Sequence, residues 1–156
     1  MNTQHLIVVG VDGSDGGRRA LEWAVREADA RGSAVQAVIV WQWDGLDFTP
    51  AVATNPQEAK ERATRLLDDE VRALLARHGS HLPIAAEVIE GRPGETLARA
   101  AGSADLLVLG SHGHSRVRHT VLGSVSEECI RRATCPVVVL PVPLPARPDA
   151  APAPRQ

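Results

Sequence analysis

Short apolar runs alternate along the chain with longer stretches whose apolar residues recur at helical spacing. The apolar runs predict five strands, over residues 5–11, 34–41, 84–90, 105–110 and 136–141. The helical spacing predicts four helices, over residues 16–31, 56 to about 78, 93–101 and 124–132. Because such apolar strands alternate with helices, the pattern indicates an α/β domain with a parallel sheet covered on both faces.

Local signals predict where several of these helices begin and end. Gly32 follows the first helix, and glycine commonly occupies the position just after a helix. Asn55 and Pro56 have the order of an N-cap and a first helical residue. Ser124 and Glu127 form an S-x-x-E capping box, which predicts Ser124 as the N-cap of the last helix.

Composition narrows the class of protein. The chain of 156 residues is 44% hydrophobic and 23% charged, with a formal net charge of -2. This balance is typical of one globular domain. It argues against nonspecific electrostatic binding of nucleic acid, which requires a basic surface. No apolar run approaches the ~20 residues of a membrane span, and the first residues lack the pattern of a signal peptide. Two cysteines make no disulfide framework, so we expect a cytoplasmic protein.

The last residues differ in composition from the rest of the chain. From Val142 onward the sequence VPLPARPDAAPAPRQ is dense in proline and alanine. Such a segment does not bury enough apolar surface to build a core. We therefore expect one folded domain over residues 1–141 and a disordered tail over residues 142–156.

Two loops that follow predicted strands carry unusual chemistry. The first, VGVDGSDGG, holds Asp12 and four glycines, which would let the backbone approach a ligand closely. An alternative is a glycine-rich turn in which Asp12 or Ser14 caps the next helix. In an open α/β sheet, ligands bind beyond the carboxyl ends of the strands, where the winding reverses.

The second loop, GSHGHSRVRHTVLGS over residues 110–124, combines glycines with histidines and arginines. Its glycines would let backbone N–H groups form an anion-binding nest, and the helix start after it favours phosphate. A phosphate chain is therefore the expected ligand, and a solvated surface loop before a capped helix is the alternative. Neither loop fits a Walker A motif or the G-x-G-x-x-G fingerprint, and no G-x-S-x-G nucleophile elbow is present.

Other residues leave alternatives open. His112, His114 and His119 are candidate metal ligands, although no cysteine or carboxylate accompanies them in the loop. A buried structural thiol is the first interpretation of each cysteine, and a redox role is the second. Trp41 and Trp43 end the second strand and either cover an adenine or pack in the core. Further along, Glu127 and Glu128 either help to cap the last helix or hold Mg²⁺ beside phosphates.

The second loop matches G-x2-G-x9-G-[ST] at Gly110, Gly113, Gly123 and Ser124. This pattern resembles the ATP-binding motif of the universal stress protein family. VVGVDGS after the first strand, GRPGETL before the third helix and CPVVVLP at the end are also similar to that family, in the same order. The resemblance covers about residues 5–141.

The resemblance implies a fold, a site and an assembly. The fold would be an open five-stranded parallel sheet of order 3-2-1-4-5, Rossmann-like and similar to the adenine nucleotide alpha-hydrolases. ATP, with or without Mg²⁺, would lie between strands one and four, and homodimers would form through the last strand. The implied ligands are Asp12 with Gly10 and Val11 at the nucleoside, Val40 at the adenine edge, and, at the triphosphate, Gly110, Ser111, His112, Gly113, His114, Ser115, Arg116, Gly123, Ser124, Val125 and Ser126.

For function, the resemblance implies an ATP-binding regulatory module of the stress response rather than an enzyme. The residues themselves show no strong catalytic constellation. Two alternatives stay open, namely a slow ATPase or other adenine-nucleotide hydrolase of this fold, and an interaction protein whose pocket is vestigial.

Overall fold

The computed structural model describes residues 4–43, 55–112 and 122–142. Within them, five strands form a single sheet, and the strands are β1 Leu6–Gly10, β2 Ala34–Trp41, β3 Ile84–Glu90, β4 Leu106–Gly110 and β5 Val137–Leu140. Four helices alternate with these strands, and the helices are α1 Asp15–Arg31, α2 Pro56–His78, α3 Pro93–Ala100 and α4 Ser124–Arg132. All strand pairs are parallel and their order is β3-β2-β1-β4-β5. The parallel α/β fold that the pattern predicted and the strand order that the resemblance implied are therefore confirmed.

The sheet separates two hydrophobic cores. Alternate residues of a strand point to opposite faces, so Ile7 and Val9 of β1 lie in one core and Val8 lies in the other. Helices α1 and α2 cover the first face with residues such as Leu21 and Leu67. Helices α3 and α4 cover the second face, where Leu97 and Cys129 pack on the central strands.

The two edge strands are less buried than the sequence pattern predicted. In β3, Ala85, Ala86 and Glu87 are exposed, so the expectation of full cover on both faces is wrong at this edge. On the face of Ala85 and Glu87, the physical reason is that α3 has only eight residues and packs chiefly on α4. At the opposite edge, every residue of β5 is half-buried.

The residues predicted to end the first helix and to cap the second are confirmed. Gly32 ends α1 in the left-handed conformation with φ 68°, which glycine adopts without a Cβ penalty. Asn55 caps α2, because its side chain accepts a hydrogen bond from the Glu58 N–H at 2.9 Å. Ser14 caps α1 in the same way, accepting from the Gly17 N–H at 3.1 Å.

Helix α2 holds the beginning of α1 in place. Arg18 pairs with Glu70 of α2 through Nε and Oε1 at 2.8 Å, and only 12% of the Glu70 side chain is exposed. Leu66 packs on Gly13, so that a methyl group added there would lie 2.9 Å from the leucine. The turn between β1 and α1 is therefore fixed from outside by α2. No helix within the described ranges is long and apolar enough to cross a bilayer.

Candidate functional site

The strand order creates a crevice at one edge of the sheet. β1 and β4 are adjacent, but α1, which follows β1, covers one face and α4, which follows β4, covers the other. The chain therefore leaves the sheet in opposite directions after these two strands, which opens a cleft beyond their carboxyl ends. The two loops singled out in the sequence both begin at this edge, after Gly10 and after Gly110.

Asp12 is held in a defined orientation by the turn that follows β1. Its Oδ1 accepts hydrogen bonds from the Ser14 N–H at 3.0 Å and from the Ser14 hydroxyl. The Ser14 oxygen in turn accepts from the Gly17 N–H. Gly10 and Val11 are packed into the protein, so of the three residues expected at the nucleoside only Asp12 offers a partly exposed polar side chain.

Gly16 and Gly17 have a different role from the one the sequence suggested. A methyl group at Gly16 would lie 2.7 Å from the His112 carbonyl oxygen, and one at Gly17 would lie 2.7 Å from Asp12 Oδ1. Real Cβ atoms do not approach this closely, so the absent side chains make room for the protein's own loops. The structure thus gives these two glycines a packing role that the sequence did not suggest.

Val40 presents its backbone toward the crevice. In β2, Val38 faces β1, since its carbonyl accepts from the Val11 N–H at 2.8 Å, and Trp41 faces β3, since its carbonyl accepts from the Gly91 N–H at 2.9 Å. Alternate residues of a strand direct their N–H and C=O groups to the same side, so Val40 also faces β1. Because β1 ends at Gly10, which is opposite Val38, no described strand remains there to pair with Val40.

The start of the second loop is tied to α4 and to β5. The Ser111 N–H donates to the Leu140 carbonyl at 2.8 Å, and the Ser111 carbonyl accepts from the Gly123 N–H at 2.6 Å. The Ser126 hydroxyl donates to the Gly110 carbonyl at 2.8 Å. Ser126 was expected to bind phosphate, but its buried hydroxyl is engaged within the protein, which leaves its backbone N–H as the group able to do so.

Helix α4 begins at Ser124 as predicted, but its predicted capping box does not form, and its first backbone donors have no acceptor among the described residues. Gly123, not Ser124, is the N-cap, and no side chain caps the helix, because the Gly123 N–H bond to Ser111 keeps residue 123 extended. The first helical bond runs from the Glu127 N–H to the Gly123 carbonyl at 3.0 Å. The N–H groups of residues 124–126 therefore have no acceptor in the helix, and such groups favour an anion.

Helix α3 starts at the same edge of the sheet but differs in charge. Its N-cap, Arg92, makes no side-chain cap bond. Its first turn is covered by Glu128, whose Oε2 would lie 2.6 Å from a methyl group at Gly94, and whose Oε1 pairs with Arg132 at 3.1 Å. A carboxylate at this helix start disfavours a second anion there, and its pairing with Arg132 argues against Glu128 as a Mg²⁺ ligand.

The cysteines behave as core residues. Cys129 is fully buried, and its Sγ lies 3.5 Å from the Gly94 carbonyl. Burial raises the pKa of the Cys129 thiol to about 11, and burial likewise raises the pKa of Cys135. Because the thiolate is the reactive form, the structure favours the structural interpretation of Cys129 over the redox alternative.

Several predicted ligands lie outside the described residues, namely Gly113, His114, Ser115 and Arg116. His119, one of the three candidate metal ligands, lies there too. Among the residues that the structure does describe, no group of three histidine, cysteine or acidic side chains is placed to hold a metal ion. Trp41, considered for covering an adenine, packs against the core beneath α1 and α2.

A second concavity lies at the opposite, amino-terminal edge of the sheet. This groove has a volume of about 330 Å³ and is lined by Leu6, Ala34, Val35, Gln36, Pro83, Ile84 and Ala85. It offers one polar side chain and no charged one, so it lacks the groups that would recognise a phosphate. The charged and hydrogen-bonding groups instead converge at the carboxyl edge.

Sequence reasoning missed two contacts that shape the site. One is the bond from the Ser14 N–H to the Asp12 carboxylate. The D-x-S spacing is typical of a turn in which an Asp side chain accepts from the backbone N–H two residues later, so the sequence could have predicted this contact. The contact of Leu66 with Gly13 had none, because it joins residues whose proximity depends on how α2 packs on α1.

The comparison with known proteins agrees with this architecture. The model of the Usp (universal stress protein) family matches residues 5–141. The chain belongs to the universal stress protein family. Universal stress protein Rv1996 of Mycobacterium tuberculosis is 35% identical over 170 residues, which cover 94% of this chain and 51% of the relative. Universal stress protein MJ0531 of Methanocaldococcus jannaschii is 30% identical over 151 residues, which cover 91% of this chain and 85% of the relative.

Solved universal stress proteins share the fold. A universal stress protein in complex with cAMP has a TM-score of 0.66 at 24% identity, over 87% of this chain and 96% of that one. The universal stress protein from Archaeoglobus fulgidus in complex with dAMP has a TM-score of 0.64 at 24% identity, over 89% and 98%. The chain spans about half the length of the mycobacterial relatives that it matches.

Proposed function

We propose that this universal stress protein binds ATP in the crevice between β1 and β4 and acts as a nucleotide-dependent regulatory module of the stress response. One observation carries the proposal. The Val40 backbone, the Asp12 carboxylate and the N–H groups at the start of α4 all lie at the carboxyl edge of the same sheet. These three elements match, in chemical type, the adenine edge, the ribose and the phosphates of a nucleotide.

The backbone of Val40 is the part of the proposed site that would bind the adenine of the nucleotide. One N–H donor and one C=O acceptor on the same strand edge complement the ring nitrogen acceptor and the amino donor of adenine. Guanine presents a carbonyl and a ring N–H at those positions, so it would place acceptor against acceptor. The backbone of β2 thus supports adenine over guanine.

The Asp12 carboxylate is the group that would bind the ribose of the nucleotide. A carboxylate accepts hydrogen bonds from hydroxyl groups, and Ser14 fixes its orientation before any ligand arrives. Fixing a side chain in advance lowers the entropy that binding must remove.

The start of α4 is the part of the proposed site that would bind the phosphates of the nucleotide. The first three N–H groups of the helix, which have no acceptor among the described residues, and the positive end of its dipole attract an anion, while the corresponding end of α3 is covered by Glu128. Two solved proteins of this fold hold cAMP and dAMP, which supports an adenine nucleotide as the ligand class here. ATP is the finer proposal and comes from the resemblance of the G-x2-G-x9-G-[ST] spacing to the ATP-binding motif of the family.

Native mass spectrometry of the purified protein, followed by calorimetry with Mg-ATP, tests the function. We expect ATP to bind with one site per chain and to stay intact for hours. Steady conversion to ADP or AMP by the purified chain would make it a slow ATPase instead. Failure to retain or bind any adenine nucleotide would leave the vestigial pocket as the explanation.

We also propose a homodimer that forms through β5. Its four apolar residues are only half-buried, and Val142, two residues after it, is 53% exposed. An apolar edge strand with unpaired backbone groups favours pairing with a second copy. The cytoplasm is the proposed location. The disordered tail predicted over residues 142–156 lies, apart from Val142, outside the described residues and stays a prediction.

A further inference from the structure

Gly16 and Gly17 lie between the two loops of the proposed site, and each touches a different one. A methyl group added at Gly16 would lie 2.7 Å from the His112 carbonyl oxygen and 3.6 Å from the Gly110 Cα. From the other side, a methyl group at Gly110 would lie 2.7 Å from the Gly16 carbonyl carbon and 2.9 Å from its oxygen. The first turn of α1 therefore rests directly on the backbone that leaves β4.

Gly17 faces the other loop. A methyl group at this position would lie 2.7 Å from Asp12 Oδ1 and 3.3 Å from the Asp12 backbone nitrogen. It would also come within 3.5 Å of the Ser14 hydroxyl, which bonds to the same carboxylate. The place of the Asp12 carboxylate is thus set by the absence of a side chain at Gly17.

We infer that these two adjacent glycines are positioning residues with separate tasks. Gly16 sets the place of the groups that bind phosphate, and Gly17 sets the place of the carboxylate that binds the nucleoside. The inference rests on the proposed nucleotide-binding function and deepens it. It assigns each end of the ligand to one residue, which acts through the loop that it supports.

Gly16 acts on the phosphate end through a short chain of contacts. Its neighbour His112 follows Ser111, whose carbonyl accepts from the Gly123 N–H at 2.6 Å. Gly123 is the N-cap of α4, and the Ser126 hydroxyl of α4 bonds to the Gly110 carbonyl. A displacement of the chain where it leaves β4 therefore shifts the start of α4, where the N–H groups of residues 124–126 lack an acceptor in the helix.

A side chain at Gly16 cannot be absorbed by a change of rotamer, because the atoms it meets are backbone. The β4 exit or the first turn of α1 must move. At Gly17 the nearest atom belongs to a side chain, so the Asp12 carboxylate must turn or shift instead. The two substitutions thus perturb different groups although they are one residue apart.

The test compares ATP with adenosine, which lacks the phosphates, by calorimetry on the full chain. In Gly16→Ala we expect the affinity for ATP to fall about tenfold, the loss expected when a hydrogen bond to a charged group is removed. The affinity for adenosine should stay within about twofold of that of the unsubstituted protein. In Gly17→Ala we expect both ligands to weaken by the same factor, about fivefold, so that their ratio is unchanged. Gly102→Ala, in the turn at the opposite edge of the sheet, is the control and should change neither affinity.

The outcomes separate this inference from the proposed function. If the unsubstituted protein binds neither ligand, both fail together. If it binds both ligands, and Gly16→Ala keeps the same ratio of ATP to adenosine affinity, the inference alone is overturned. Should Gly16→Ala not fold, Gly17→Ala still decides, because a change in its affinity ratio would contradict the assignment of Gly17 to the nucleoside end.

Discussion

Replacing Ser14 separates the structural role of a helix cap from its role in the proposed site. The Ser14 oxygen accepts from the Gly17 N–H at 3.1 Å, and its hydroxyl donates to Asp12. Ser14→Ala removes both bonds at a residue that is only 9% exposed, so water does not replace them. Loss of an N-cap costs about 0.5–2 kcal/mol, and an unsatisfied buried donor costs about 1–3 kcal/mol. We expect about 2 kcal/mol, or a fall in Tm of about 4–8 °C.

Asn55→Ala is the matched control for this substitution. Asn55 caps α2 with the same geometry, accepting from the Glu58 N–H at 2.9 Å, but it is exposed and lies about 16 Å along the helix from Leu66. We expect it to cost about 1 kcal/mol, since water partly replaces the lost bond, or about 2–4 °C in Tm.

Ligand binding provides the decisive difference between the two variants. Without the Ser14 hydroxyl, the Asp12 carboxylate must be ordered on binding, at a cost of about 1 kcal/mol or about fivefold in adenosine affinity. Asn55→Ala should leave that affinity unchanged, and Ser14→Thr, which keeps a hydroxyl, should restore it. Equal Tm shifts in the two alanine variants, together with unchanged adenosine binding in Ser14→Ala, would refute this reasoning.

Three further predictions use other contacts. Leu66→Ala should lower the stability by roughly 2 kcal/mol and speed amide exchange at Gly13, and exchange that rises only within α2 would contradict the contact between them. Cys129, whose pKa is about 11, should resist alkylation by iodoacetamide at pH 8 in the folded protein and react once it is unfolded in urea. Val139→Lys on the β5 edge should give a monomer in light scattering, whereas a persistent dimer would place the interface elsewhere.

The fold could be predicted from the sequence because its signals are local. Apolar runs such as the one ending at Gly10 mark strands buried in a parallel sheet, and Gly32 and Asn55 mark helix ends by their own conformations and side chains. The failure at the last helix has the opposite origin. The helix begins at Ser124 as predicted, but the capping box of Ser124 and Glu127 does not form, because Gly123, whose N–H donates to the Ser111 carbonyl beyond β4, takes the N-cap position.

The site could be predicted less completely, for the same physical reason. The order of the strands places Asp12 and the residues after β4 at one edge, and that order was available from the resemblance. The contacts of Gly16 with His112 and of Leu66 with Gly13 depend on the packing of helices over several ångströms. No pattern along the chain specifies such distances, so these residues gained their roles only from the structure.

The most direct test of the central claim is an NMR titration of the ¹⁵N-labelled protein with Mg-ATP. If the nucleotide lies in the crevice, the amide signals of Val40, Ser111 and Ser124 to Ser126 should shift together and saturate with one affinity. The amides of Ala34 and Ala85, in the groove at the opposite edge, should stay in place. Shifts confined to that groove, or no saturable shift at Val40 and the start of α4, would contradict the account.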